Sequence, residues 1–262
     1  MISLPEENIP EKPEKQSTLP DNLMHIDQAS LTAKRALYRA RRNNMLFMTA
    51  LILYIALAVL AYFFNYFAWD KKIEDAIQHT TIPGFRTLMI GLSMLGDRWI
   101  PFALVVFVSL LLILYKKRLE GLVCLCGISL GALLNAVTKV LVARPRPDQS
   151  LVQVLAQYNH DSFPSGHTFF FVEFFGFLFF ILYITPMRRA VRQTFLASLG
   201  VLIAFIGVSR VYMGAHWPSD VIGGYLAGTL WLVLMIKVYG RLKAKQKAAS
   251  PNLNPQTGLT DK

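Results

Sequence analysis

Six runs of apolar residues, separated by short polar stretches, dominate the chain. They cover Asn44 to Trp69, Trp99 to Tyr115, Gly121 to Thr138, Thr168 to Met187, Gln193 to Ser209, and about Pro218 to Ile236. The first is free of charge and long enough to cross the roughly 30 Å hydrocarbon core of a bilayer as a helix. Several others sit near the short end of the spanning range, so their ends are expected to run on into the flanking polar motifs. The fourth carries one interior acid, Glu173. Between the first two runs, residues 70–98 hold an apolar stretch from Phe85 to Leu95 that is too short to cross, which predicts an interfacial or re-entrant helix. The pattern as a whole predicts an all-α polytopic membrane protein, six transmembrane helices in one bundle over residues 44–240.

Outside the bundle the periodicity stops. Residues 1–33, rich in Pro, Glu, Ser and Asn, predict a disordered tail. The basic stretch from Lys34 to Arg42 extends that segment to residue 43. The first apolar run starts too late, and lacks the small-residue cleavage site, for a secretory signal. Residues 241–262 read as a second polar tail. No internal repeat at a fixed period is present.

Composition supports the same class. Apolar residues make up 54% of the chain and charged residues 16%, with a mean hydropathy of +0.41, whereas a soluble domain carries about a quarter charged residues. A disordered chain, a disulfide-stapled secreted domain and an ordinary soluble enzyme are excluded. Cys124 and Cys126, two apart in one apolar run, point to different sides of a helix and read as packing residues. The net charge of +11 is unevenly placed. With the N-terminus inside, the inner clusters are Lys34 to Arg42, Lys116 to Arg118, Arg188 to Arg192 and Lys237 to Lys247, sixteen basic residues against eight on the outer side. The positive-inside rule then puts both termini in the cytoplasm of a cell (plasma or inner) membrane.

That topology sends three polar clusters to one outer face. Lys139 is followed by Arg144-Pro145-Arg146-Pro147; Phe163-Pro164-Ser165-Gly166-His167 precedes the fourth span; Ser209-Arg210 leads to His216-Trp217-Pro218-Ser219-Asp220 before the sixth. Ionisable groups beside spans are expensive and mark function. Lys139, Arg146 and Arg210 are three cations, suited to a phosphate dianion. Ser165 is expected to cap a helix whose free N–H groups face an anion. Asp220, one turn from His216, can fix its tautomer and leave the other ring nitrogen as a base or nucleophile. His167 is then free to act as a general acid. No Asp/Glu/His cluster suggests a metal, so the cations must neutralise the charge.

These motifs closely resemble the type-2 phosphatidic acid phosphatase family, whose pattern is K-x6-R-P, P-S-G-H and S-R-x5-H-x3-D. Lys139 with Arg146-Pro147, Pro164 to His167, and Ser209-Arg210 with His216 and Asp220 fill every position at the family's spacing. The resemblance implies metal-independent, cofactor-free hydrolysis through a phosphohistidine. His216 is then the nucleophile, Asp220 its orienting partner and His167 the acid. Lys139, Ser165, Gly166, Arg146 and Arg210 hold the phosphoryl oxygens.

The expected substrate is a lipid phosphate such as phosphatidic acid, or a lipid diphosphate as in undecaprenyl-diphosphate recycling. Membrane lipids are the expected partners, nucleic acid is not, and the oligomeric state stays open. A phosphotransferase is a further alternative. A transporter fits less well, because its ionisable residues belong near the midplane. Arg144, outside the motif, reads as an interfacial anchor, His160 and Asp161 as solvated loop residues, and Tyr212 and Trp217 as interfacial aromatics. Glu173 reads either as a protonated group bonded to a neighbouring helix or as part of a substrate crevice.

Overall fold

The computed structural model describes residues 21–249. The polar tails on either side of that range lie outside the described residues. Among the described residues eight helices follow one another: α1 (Asp21–Phe63), α2 (Ala68–Gln78), α3 (Phe85–Met94), α4 (Ile100–Leu114), α5 (Arg118–Val142), α6 (Gly166–Ile184), α7 (Arg189–Tyr212) and α8 (Pro218–Ala249). Among the described residues there is no strand.

Two boundaries differ from the sequence expectation. Helix α1 starts at Asp21, so residues 21–43, expected to be a disordered tail, are helical. The stretch up to Arg42 contains many good helix formers and no Pro or Gly after residue 20. Helix α8 likewise runs to Ala249, through a Lys- and Ala-rich segment expected to be tail.

Over Lys34–Phe63, and in α5, α6, α7 and α8, the helices are long and apolar enough to cross a membrane. Helix α4 has 15 residues, about 22 Å at 1.5 Å per residue, and α3 has 10. Pro101 sits in the first turn of α4, where its missing N–H costs nothing. The apolar stretch from Phe85 forms α3, and the segment expected to hold one short helix holds two, α2 and α3.

Burial runs opposite to that of a water-soluble protein. Leu114 is 80% exposed and Val140 74%, while Arg144 and Arg210 are 0% exposed. Apolar side chains facing outward and cations facing inward are what a lipid solvent selects. The chain is a multi-pass membrane protein. Its main apolar core joins Val105 of α4, Cys124 and Ile128 of α5, Phe171, Phe174 and Phe177 of α6, Ile206 of α7 and Met235 of α8. A smaller cluster packs Ala61 of α1 on Val142 and Phe163.

The bundle's polar end is set by local chemistry. Helix α5 stops where Ala143 takes a left-handed conformation, φ +49°, because Pro145 disfavours helical geometry at Arg144. Helix α8 starts at Pro218, which is pre-set for a first turn. Between α7 and α8, Gly214 has φ +64°, and a Cβ there would lie 2.1 Å from the Gln153 carbonyl oxygen. Only glycine permits that turn and that approach.

The burial pattern makes a direct prediction. Phe171→Ala should cost about 3 kcal/mol, and Leu110→Ala, on the exposed side of α4, within about 0.5 kcal/mol. Thermal unfolding of the two variants in detergent measures the contrast.

Candidate active site

Three chain segments meet at one end of the bundle: residues 139–146 at the end of α5 and just beyond it, 158–167 leading into α6, and 209–220 from the end of α7 into α8. His216 is 1% exposed. Its Nδ1 lies 3.3 Å from Ser162 Oγ and 3.8 Å from Asp220 Oδ2. The second distance is too long for a hydrogen bond. Ser162 Oγ donates to Asp220 Oδ2 at 2.5 Å, so the carboxylate reaches the ring through a hydroxyl. This corrects the direct His216–Asp220 contact expected from the i,i+4 spacing. In the chain Nδ1–H to Ser162 to Asp220, the ring's lone pair is on Nε2, which lies 3.3 Å from Arg146 Nη1. Burial, and then the charges of Arg146, Lys139 and Arg210, hold the His216 pKa well below its ordinary value, so the imidazole is neutral at pH 7.

Asp220 is engaged through both carboxylate oxygens. Its Oδ2 also accepts from the Trp217 backbone N–H at 3.0 Å, and its Oδ1 accepts from Arg144 Nη1 at 2.5 Å. Its backbone carbonyl accepts from Ser165 N at 3.0 Å. Arg144 is no surface anchor. It is fully buried and also donates to Asp70 Oδ2 at 3.2 Å, Ser219 Oγ at 2.7 Å, and the carbonyls of Phe64 and Asn65. Asp70, at the start of α2, accepts in turn from Ser219 N and Oγ. Glu74, one turn on, is buried beside Asp70 and Asp220. Burial first, and those charges second, push its pKa up to about 9, so it carries a proton at neutral pH.

The three cations differ in how far the protein engages them. Lys139 Nζ donates to the carbonyls of Asp161 (2.8 Å) and Ser162 (3.1 Å). Arg146 donates to the carbonyls of His160 (2.6 Å), Ala215 (2.5 Å) and, more weakly, Asp161 (3.4 Å). His160 and Asp161, expected to be solvated loop residues, therefore contribute backbone acceptors. Burial and the Arg210 charge bring Arg146 down to about 10, which leaves it a cation at neutral pH. Arg210 donates to Ser93 Oγ of α3, but its Nε and Nη2 are buried and no protein group accepts from them. Both guanidinium groups lie over the Tyr158 ring, at 4.8 and 4.9 Å.

His167 stands in the first turn of α6, and its Nε2 is 2.9 Å from Asp97 Oδ1. Ser165 occupies the position before the helix but makes no side-chain capping bond. Its Oγ instead accepts from Thr168 Oγ1 at 3.1 Å, which corrects the expected cap. Gly166 follows it without a Cβ to crowd Asn135 Oδ1, 3.3 Å from where that atom would stand. Trp217 is likewise no interfacial aromatic, being 1% exposed and stacked on Tyr66 at 5.0 Å. Glu173 is buried deeper in α6, in a single π turn over Phe171–Phe175, with its Oε2 unpaired and packed against Gly131. That places Glu173 away from the cluster formed by the other polar residues.

Sequence reasoning missed Ser162, Asp70 and Asp97, and misread Arg144. Ser162 sits two residues before the Pro-Ser-Gly-His run, a position with a weak local signal. Asp70 and Asp97 lie in the segment between spans, and only tertiary contact reveals them. Among the described residues, no group of three or more His, Cys, Asp or Glu side chains is placed to hold a metal ion. A polar cavity of about 360 Å³ opens beside Arg146, lined also by Asp148, Gln149, Gln157, Tyr158 and Asn159.

Residues 120–244 match the family model of the PAP2 superfamily. The chain is 29% identical over 167 residues to a phosphatidylglycerophosphatase B of Bacillus subtilis, covering 63% of this chain and 81% of that protein. It is 28% identical over 176 residues to an undecaprenyl-diphosphatase of Sulfolobus acidocaldarius, covering 65% and 78%. In structure it resembles a transmembrane PAP2-type phosphatidylglycerolphosphate phosphatase from Bacillus subtilis. The TM-score is 0.64 at 25% identity, over 79% of this chain and 98% of that one.

Removing Arg144 leaves two buried carboxylates facing one another, Asp70 and Asp220. Arg144→Ala should therefore destabilise the protein by about 3 kcal/mol, read as a lower Tm in detergent. Adding Asp70→Asn should return part of the loss.

Proposed function

We propose that the chain, whose residues 120–244 match the PAP2 superfamily, is a lipid phosphatase that releases inorganic phosphate from a membrane lipid phosphate through a phosphohistidine on His216. The observation that carries this reading is electrostatic. Lys139, Arg146 and Arg210 surround one neutral imidazole, and Arg210 still has donors that no protein group uses. A phosphate dianion supplies the acceptors and the charge that such a cluster lacks.

In the first step the Nε2 lone pair of His216 forms a bond to phosphorus while the bond from phosphorus to the lipid oxygen breaks. That oxygen keeps the electron pair and takes a proton from His167. In the second step water attacks phosphorus and gives a proton back to His167. Inorganic phosphate leaves, and His216 is regenerated. Lys139, Arg146, Arg210 and the Ser165-Gly166 turn stabilise the charge that gathers on the phosphoryl oxygens. Each such preorganised donor contributes about 3 kcal/mol to the transition state. Ser162 and Asp220 hold the ring, in the manner of a nucleophile, base and orienter set.

In this reading the six spans include α4, both termini are cytoplasmic and the site faces outward, as the basic loops require. The lipid tail runs along the bundle. An apolar groove of about 240 Å³ between α2, α7 and α8, lined by Trp69, Ile73, Val211, Pro218 and Tyr225 among others, suits an acyl or prenyl chain. The two relatives' names support a phosphate monoester on a glycerolipid headgroup first and a prenyl diphosphate second.

The test is phosphate release by the detergent-purified protein in EDTA. Phosphatidic acid, phosphatidylglycerol phosphate and undecaprenyl diphosphate are compared side by side. Release is expected to resist EDTA, to fall to background in His216→Ala and to be blocked by vanadate. Ser162→Ala should lower kcat about 30-fold with KM nearly unchanged, since it removes orientation and not lipid contact. Normal release by His216→Ala overturns the assignment.

A further inference from the structure

Asp97 belongs to none of the three polar clusters that carry the phosphatase reading, yet it touches the proposed proton donor. It follows α3, in a tight turn where the Gly96 and Asp97 N–H groups donate to the Ser93 and Met94 carbonyls at 3.0 and 3.2 Å. Helix α3 is fixed to α7 by the bond from Ser209 Oγ to the Met89 carbonyl (2.6 Å) and by the contact between Ser93 and Arg210. The turn therefore has a defined position over the start of α6. Gly96 allows the approach, for a Cβ there would lie 2.3 Å from His167 Cδ2.

One oxygen of Asp97 receives two donors. His167 Nε2 lies 2.9 Å away and the Tyr158 hydroxyl donates at 2.7 Å. Burial alone would raise the Asp97 pKa, but these two hydrogen bonds, with the charges of His167 and Arg210, hold it at about 2. Asp97 is therefore a carboxylate at any working pH. The Tyr158 ring spans the same space, with the guanidinium groups of Arg146 and Arg210 over it and the His167 ring edge-on at 6.1 Å.

We infer that Asp97, steadied by Tyr158, is the positioning residue for His167, fixing the ring through Nε2 and offsetting the charge of the nearby arginines so that Nδ1 delivers the proton to the departing lipid oxygen. The inference rests on the phosphatase reading and adds an acid–carboxylate pair to it. Two histidines then receive different treatment. His216 meets its carboxylate only through Ser162, whereas His167 meets one directly, whose charge counters those of Arg210 and Arg146 nearby. Tyr158 couples the pair to phosphate binding, because the ring that orders Asp97 also lies against two of the three cations.

The charged and titratable groups facing His167 among the described residues are Asp97 from the α3–α4 turn, Tyr158 from the loop before α6, Arg210 of α7, Arg146 after α5, and His216. Only Asp97 is an anion, so removing its charge leaves His167 facing Arg210 and Arg146 with nothing to offset them.

The discriminating experiment compares two leaving groups. An alkyl phosphate such as dioleoyl phosphatidic acid needs a proton on the departing oxygen, whereas p-nitrophenyl phosphate expels a stable anion and does not. Asp97→Asn should lower kcat on phosphatidic acid about 30-fold and on p-nitrophenyl phosphate less than threefold. Its alkaline limb of kcat/KM on phosphatidic acid should move about one pH unit lower. Tyr158→Phe, which keeps the ring but not the hydroxyl, should show the same selectivity at about threefold to tenfold. Equal losses on both substrates with an unmoved alkaline limb mean Asp97 only supports the fold, and the inference fails while the phosphatase reading stands. A wild-type protein that releases phosphate from neither substrate removes both.

Discussion

Asp220 ties the site together. Its two carboxylate oxygens take Arg144, Ser162 and the Trp217 backbone, and its own carbonyl takes the Ser165 N–H. One residue at the start of α8 thereby joins the segment after α5, the segment before α6 and the turn after α7. Burying an ion costs several kcal/mol after relaxation, and only good geometry with further hydrogen bonds offsets it. Asp220 has three side-chain bonds, an Arg partner and a place in the first turn of a helix, where the backbone dipole favours negative charge. The cost of its burial is therefore also what fixes the geometry: any drift of one segment leaves a charge unpaired.

The segment over residues 68–98 supplies what the three clusters lack. Asp70 completes the shell around Arg144 and binds Ser219, so a second carboxylate anchors the same helix start. Glu74, held protonated next to them, adds bulk without a third negative charge. Ser93 meets Arg210, and Asp97 meets His167. These contacts are polar, and all but the part-buried pair of Asp97 and His167 are fully buried at the end of an apolar bundle. That explains why a stretch with too little apolar length to span is packed against the helices and not free in the loop.

The sequence carried the spans well because a lipid solvent leaves the chain few options: long apolar runs must be helices. It also carried the residues that gather at the bundle's polar end, since Lys139, Arg146, Arg210, His167 and His216 stand in three short motifs. Partners distant in the chain were invisible. Arg144 looked like an anchor because nothing near it in sequence shows that Asp70 and Asp220 converge on it. Ser162 was overlooked for the same reason, and the i,i+4 spacing then suggested a direct His216–Asp220 bond where a hydroxyl intervenes. Ser165 and Trp217 were misread from local propensity alone. A serine before a helix usually caps it and a tryptophan at a span end usually lies at the interface. Here Thr168 claims the hydroxyl and Tyr66 the indole ring. The tail boundaries were misplaced because polar composition without apolar periodicity does not exclude a helix, and Lys, Arg and Ala are good helix formers.

The balance of charge explains why the arrangement suits a phosphate and not merely any anion. Arg144 is neutralised within the protein by Asp220 and Asp70. Asp97, bonded to His167 and Tyr158, offsets part of one further charge. Lys139, Arg146 and Arg210 are left with carbonyls, an aromatic face and a serine hydroxyl as partners, which orient them without cancelling their charge. Carbonyl acceptors hold each cation in place in advance, so little reorganisation is needed when an anion arrives. A single carboxylate would leave most of that positive charge unmatched, while a dianion with three equatorial oxygens engages all three cations at once. In the proposed reaction, the charge that spreads over those oxygens as the phosphorus bond breaks is then met by groups already aimed at it, and the neutral ring of His216 approaches with no repulsion to overcome.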